Sequence, residues 1–139
     1  MLLRETGRPL VVHTCECALG ARRVDRVVVA TDSPEIREAV REAGVEVVDT
    51  SADARTGTDR MAEVARSLDA PYFVNLQGDE PQVDPRDLDR VADALCEGDG
   101  REIVTMAQPL LDVRDWRDPN TVKVVRRDDG RALYFSRAP

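Results

Sequence analysis

Apolar positions along the chain follow two periods, and the switches between them divide it into alternating strands and helices. Residues 24–30 are a near-continuous β-branched apolar run, as a strand buried on both faces requires. Thr31, Asp32, Ser33 and Pro34 follow it with the hydroxyl, carboxylate and proline signals of a helix start. Ile36, Ala39, Val40 and Ala43 then recur at helical spacing over 35–43, and Gly44 ends that helix. A short second strand is predicted at 45–48. Beyond a polar loop at 50–57, Thr58 is placed to cap a helix whose apolar stripe is Met61, Ala62, Val64, Ala65 and Leu68. A third strand is predicted at 72–77. A helix over 85–95 carries Leu88, Val91, Ala92 and Leu95 on one face, and Gly98, Asp99 and Gly100 break it before a strand at 103–107. The tail changes character, with 121–126 and 131–136 flanking Arg127-Asp128-Asp129-Gly130 as a β-hairpin with Asp-Gly at its turn.

Alternating strands and helices with short loops imply an α/β fold, a three-layer α/β/α arrangement with a mostly parallel sheet, to which the final hairpin adds an antiparallel piece. Residues 1–139 are expected to form a single domain, with no internal repeat or linker. The balance of 42% hydrophobic and 34% charged residues over 139 positions is that of a soluble globular protein with one core. No run approaches the roughly 18 apolar residues of a membrane span, and the first residues lack the basic-then-apolar order of a secretory signal. A cytoplasmic protein is expected, without membrane partners. The formal net charge of -7 argues against nucleic acid, whose phosphates reward basic faces. Small anions can still bind locally.

Cys15 and Cys17 lie in a predicted helix where residues two apart face different ways, and the three cysteines lack zinc-site spacing. They read as buried or half-buried thiols. His13, the only histidine, reads as a surface or packing residue, because no Ser or Cys partner follows from spacing.

In sheets of this kind ligands bind beyond the carboxyl ends of the strands, so the loops after strands are where chemistry is expected. Ala30-Thr31-Asp32 offers a hydroxyl and a carboxylate, for which capping the next helix is the favoured role. Thr56-Gly57-Thr58-Asp59-Arg60 stands at a helix N-terminus, where free amides and the dipole favour an anion and Arg60 adds a fixed charge; a cap with a surface arginine fits the pattern equally well. Asn75-Leu76-Gln77-Gly78-Asp79-Glu80-Pro81 joins an apolar strand to a Gly turn and a Pro stop. Glycine there permits close approach of a ligand, and Asp79 offers hard oxygen to a magnesium ion held against a phosphate.

The stretches Val28-Val29-Ala30-Thr31-Asp32, Thr56-Gly57-Thr58-Asp59-Arg60 and Asn75-Leu76-Gln77-Gly78-Asp79-Glu80-Pro81 occur in one order with Asp118-Pro119-Asn120-Thr121-Val122-Lys123-Val124-Val125 and Ala132-Leu133-Tyr134-Phe135-Ser136-Arg137-Ala138. Together they resemble the 3-deoxy-manno-octulosonate cytidylyltransferases (CMP-Kdo synthetases), of nucleotide-diphospho-sugar transferase-like, Rossmann-like fold. Acylneuraminate cytidylyltransferases share the superfamily, but the Gln-Gly-Asp-Glu-Pro and Tyr-Phe-Ser-Arg stretches look more like the Kdo branch.

The resemblance implies transfer of CMP from CTP to Kdo, giving CMP-Kdo and pyrophosphate for lipopolysaccharide biosynthesis, with Mg2+ as cofactor and a homodimer as the full-length assembly. It implies that Asp79 ligates Mg2+ and is catalytic, that Gln77, Arg60 and Gly78 contact the nucleotide, and that Ser136 and Arg137 lie towards the acidic sugar. For Tyr134 and Phe135 core packing is preferred, and for Lys123 a charge on a strand surface. The family's first strand, its basic phosphate-holding loop and a second metal-binding Asp have no counterpart here, so an incomplete domain is expected. The alternatives are a catalytically inactive nucleotide-binding or interaction remnant, and a cytidylyltransferase for another acidic sugar such as an acylneuraminate.

Overall fold

The end of the first apolar run and the threonine after it, Val28–Thr31, form strand β1, which pairs in parallel with β2, Glu46–Asp49, in the register Val28↔Glu46 to Thr31↔Asp49. Parallel neighbours need a crossover, and helix α2, Pro34–Glu42, supplies it. Ser33 caps α2 by accepting from the Ile36 amide at 3.2 Å, with Pro34 in the first turn, where its missing N–H costs nothing. Gly44, at φ 75°, ends the crossover in a conformation that disfavours a side chain, and the Val45 amide then returns to the Val40 carbonyl at 3.1 Å.

The computed structural model describes residues 1–97 and 103–139. They divide into two compact units, Met1–Val104 and Thr105–Pro139. The core of the first gathers Val11, Val12 and Cys15 from helix α1, Leu10–Leu19, with Val40 of α2 and Val45; Val27, Val29, Ile36 and Val47 pack against it. Val40 is fully buried, a transfer from water of about 1.5–3 kcal/mol for a side chain of this size. Helix α3, Gly57–Ser67, also packs on β1. Helix α4, Pro85–Cys96, starts at the Asp84 cap and buries Leu88, Ala92 and Leu95 at the expected helical spacing.

Two expected strands are absent. Residues 72–77 contain no strand, because their backbone finds no partner to make a ladder: residues 71–76 exchange no backbone hydrogen bond with any described residue. Residues 103–107 likewise lack a ladder. The predicted break at Gly98-Asp99-Gly100 lies outside the described residues. The α/β class stands, with a two-stranded parallel sheet among the described residues.

In the second unit, β3 (Lys123–Arg126) and β4 (Ala132–Ser136) form the expected antiparallel hairpin, with a register irregularity between Val125 and Arg126 and Gly130 at φ 90° in the turn. A short helix α5, Val113–Arg117, precedes it, capped by Asp112, which the apolar pattern did not predict because five residues are too few to show a stripe. Tyr134 and Phe135 are 58% and 55% exposed, not core residues, since nothing in this unit covers the hairpin face. Lys123 is buried rather than superficial. Its ammonium donates to the Asp118 and Arg137 carbonyls at 3.0 and 2.5 Å, the partners that burial of a charge demands. No helix among the described residues is long and apolar enough to cross a membrane.

Candidate functional site

The capping of α3 begins earlier than Thr58. Thr56 accepts from the Asp59 amide at 3.1 Å, and the Asp59 carboxylate accepts in return from the Thr56 amide at 3.1 Å, a reciprocal capping box. This fixes the first turn and aims Arg60 inwards. Its guanidinium pairs with Asp32 at 3.0 Å and donates to the Thr50 hydroxyl. Thr50 is buried and the Arg60 side chain is 20% exposed, so the arginine is a held charge and not a loose surface one. Asp32 is therefore not the cap of α2, a role that falls to Ser33.

Gln77 reaches the same place from the end of the extended segment. A β-carbon added to Gly57 would stand 3.1 Å from Gln77 Nε2, so the glycine leaves room for the carboxamide against the first residue of α3. Arg60, Gln77, Gly57 and Gly78 all line one cavity of about 670 Å³. It therefore offers a fixed cation and an amide that both donates and accepts, beside a helix N-terminus; these groups suit a phosphate and a nucleobase edge.

The loop that follows is docked on α1. The Thr14 hydroxyl donates to the Gly78 carbonyl at 2.8 Å, and the Cys17 thiol to the Pro81 carbonyl at 3.1 Å. The Glu80 amide closes the turn onto the Gln77 carbonyl at 3.1 Å. Gly78 itself lies under the Met1 side chain, whose methyl would be 2.1 Å from an added β-carbon. Asp79 is thereby presented on an exposed turn, with no hydrogen bond or ion pair to its carboxylate among the described residues.

No group of three or more His, Cys, Asp or Glu side chains is assembled for a metal among the described residues. A lone, unencumbered carboxylate fits Mg2+ nonetheless, because that ion keeps several waters and is commonly bound through one or two carboxylates plus substrate phosphates.

Ser136 and Arg137 belong to the second unit. The Ser136 hydroxyl accepts from the Ala138 amide at 3.0 Å, and Arg137 donates to the Pro119 and Asn120 carbonyls at 3.0 and 3.1 Å. Both are thus engaged in holding the end of the hairpin. Burial pushes the Cys15 thiol up from its ordinary value, with Glu16 adding to the effect, whereas Cys96 is exposed, contrary to the expectation of a buried or half-buried thiol. His13, half-buried on α1, bonds the Thr6 hydroxyl at 2.6 Å and lies 3.6 Å from Glu16.

Sequence reasoning missed Asp32 and Thr50 as the residues that restrain Arg60, Gly57 as the space for Gln77, and Thr14 as the anchor of the loop. Asp32 and Thr50 each directly follow a strand, which was the available signal for the first two. The Thr14 contact spans 64 residues and had none.

Residues 2–139 match the family described as Cytidylyltransferase. A 3-deoxy-manno-octulosonate cytidylyltransferase of Chlorobium limicola is 50% identical over 141 residues, covering 100% of this chain and 57% of that protein. One from Geobacter sulfurreducens is 45% identical over 133 residues, covering 96% and 53%. A solved structure of CMP:2-keto-3-deoxy-manno-octonic acid synthetase complexed with CTP is similar with a TM-score of 0.90 at 35% identity, over 99% of this chain and 56% of the other. The chain thus spans a little over half the length of these relatives. With both its sequence and its fold matched along almost its full length, the chain belongs to the cytidylyltransferase family.

Proposed function

We propose that this chain carries the nucleotide-binding part of an enzyme that transfers CMP from CTP to 3-deoxy-manno-octulosonate, releasing pyrophosphate, in the cytoplasm and as a homodimer. The observation that carries the reading is the convergence of Arg60 and Gln77 on one cavity at the N-terminus of α3. Arg60, already fixed by Asp32 and Thr50, supplies positive charge to the nucleotide without reordering a long side chain. Gln77 supplies donor and acceptor to the base, and Gly78 lets the backbone approach it.

Asp79 is the residue we assign to Mg2+, and the ion, when bound, offsets charge on the triphosphate. In this reading the sugar hydroxyl attacks the α-phosphorus in line and gives up its proton to solvent, its oxygen's bond to phosphorus forms as the bond to the pyrophosphate oxygen breaks, and no enzyme nucleophile takes part. Ser136 and Arg137 are assigned to the sugar. Arg137 suits a carboxylate by its fork of donors, two of which would have to leave the Pro119 and Asn120 carbonyls or be shared with them.

The test is pyrophosphate release by the 139-residue chain. Release that requires CTP, Kdo and Mg2+ together, and that Asp79→Asn abolishes, supports the assignment. Turnover indifferent to Asp79→Asn would refute Asp79 as the metal residue. The engagement of Arg137 with the Pro119 and Asn120 carbonyls favours one second reading, a chain that binds the nucleotide without transferring it. Such a chain would bind CTP with Arg60-dependent affinity and release no pyrophosphate under any combination of substrates. Activity with an acylneuraminate in place of Kdo would redirect the sugar assignment alone.

A further inference from the structure

Lys123, the only lysine of the chain, is 8% exposed. It opens β3 opposite Ser136 of β4, and its ammonium donates to the Asp118 carbonyl at 3.0 Å and to the Arg137 carbonyl at 2.5 Å. The Asp118 carbonyl begins a turn that the Thr121 amide closes onto it at 3.2 Å, and the Asp118 carboxylate braces that turn by accepting from the Asn120 amide at 2.8 Å. Arg137 lays its guanidinium on the same turn, donating to the Pro119 and Asn120 carbonyls at 3.0 and 3.1 Å. Arg137 is therefore held at both ends, its main chain by Lys123 and its side chain by the turn that Lys123 also holds.

All four acceptors are neutral carbonyls. Neither cation pairs with a carboxylate among the described residues, whereas Arg114 and Arg127 of the same unit are paired with Asp112 and Asp129. Burying an ammonium without a counter-ion is costly, and carbonyls satisfy its donors without cancelling its charge. Carbonyls also leave Arg137 able to change partners, because a carboxylate, charged and matched to the guanidinium fork, is the stronger acceptor. We infer that Lys123 is a positioning residue for the acidic sugar. It fixes the main chain of Arg137 against the turn, so that the guanidinium stands ready for a carboxylate, and its own uncancelled charge favours that anion. The inference rests on the assignment of Arg137 to the sugar.

The test titrates the intact chain with Kdo, with the methyl ester of Kdo and with CTP by calorimetry, and follows the Arg137 guanidinium protons by NMR, their signal assigned by its loss in Arg137→Gln. Lys123→Met keeps the apolar stem and removes charge and donors, while Lys123→Arg keeps both. Lys123→Met is expected to speed exchange of the Arg137 guanidinium protons and to weaken Kdo about tenfold or more, the worth of a hydrogen bond to a charged group. Lys123→Arg should recover most of both. CTP affinity should not move, since Arg60 and Gln77 belong to the other unit, and the ester, without a charged carboxylate, should bind the wild type and Lys123→Met alike. Should Lys123→Met fail to fold, the wild type decides: its single lysine ammonium signal is expected to shift in step with that of Arg137 as Kdo is added, and a lysine signal indifferent to saturating Kdo would overturn the inference. So would Arg137 protons unaffected by Lys123→Met, an equal loss of CTP and Kdo, an ester as sensitive as the acid, or no recovery in Lys123→Arg. A wild type that binds no Kdo, with the Arg137 protons still following Lys123, would overturn the sugar assignment while supporting the hold of Lys123 on Arg137.

Discussion

The Thr14 hydroxyl of α1 donates 2.8 Å to the carbonyl of Gly78, so the turn that presents Asp79 is tied to the helix that supplies much of the core. Thr14 is almost wholly buried. Replacing it with valine keeps the shape and removes the donor, leaving the Gly78 carbonyl without this bond. A lost buried partner of this kind costs about 1–3 kcal/mol. Thr14→Val is expected to lower the urea midpoint accordingly and to weaken CTP binding more than proportionately, because the Asp79 turn loses its anchor. Equilibrium urea unfolding and calorimetric titration of CTP, run on the same preparations, check the two halves.

Gly57 is expected to separate binding from stability. It stands at the first position of α3, where alanine is the better helix former by up to about 1 kcal/mol. Its added β-carbon would crowd only the end of the Gln77 side chain at 3.1 Å. Gly57→Ala should therefore leave the thermal midpoint unchanged or raise it, while cytidine nucleotides bind less well as the Gln77 carboxamide is pushed aside. A parallel loss in Gln77→Ala, with no further loss in the double variant, would identify the displaced amide as the cause.

The split between Asp32 and Thr50 as partners of Arg60 requires a planar fork. A lysine at 60 has the charge but reaches one partner at a time. Arg60→Lys is expected to weaken CTP about tenfold, roughly 1.4 kcal/mol, with the change in unfolding free energy below about 1 kcal/mol because the pair is partly solvated. Side-by-side CTP titrations at low and high salt check it, since a bare charge in the variant should show the steeper salt dependence.

How much of this was legible in the sequence depends on whether a feature is local. The start of α2 at Pro34, the stripe of Leu88, Ala92 and Leu95, and the hairpin around Gly130 depend on residues within a few positions of each other, and they stand where the pattern placed them. Residues 72–77 have a strand's composition and no strand's partner, and composition carries no information about the neighbouring backbone. Gln77 and Arg60 were legible as members of loops after strands, and they do line one cavity. The residues that hold them, Thr50, Asp32 and Gly57, act through contacts fixed only by packing.

Acid should act on α4 through Asp84. The Arg86 side chain, together with the Arg86 amide that Asp84 caps, holds the Asp84 carboxyl down to about 2 from an ordinary 3.8. A carboxylate whose folded-state value lies below its unfolded one binds protons more readily when unfolded. Its contribution to stability is therefore complete above about pH 4 and is lost as the pH falls towards 2. Asp112, lowered by Arg114 in the same geometry at the start of α5, acts in the same direction, as does Glu46 beside Arg26. Asp84→Asn isolates one of these terms, because asparagine still caps a helix while carrying no charge to titrate. The wild-type chain is expected to exceed the variant in urea midpoint by a constant margin above about pH 4.5, and that margin should close as pH is lowered through the window between the two values. Far-UV circular dichroism across a pH series of urea titrations measures it, and a margin unchanged down to pH 2.5 would show that the Asp84–Arg86 contact does not favour the ionised carboxylate.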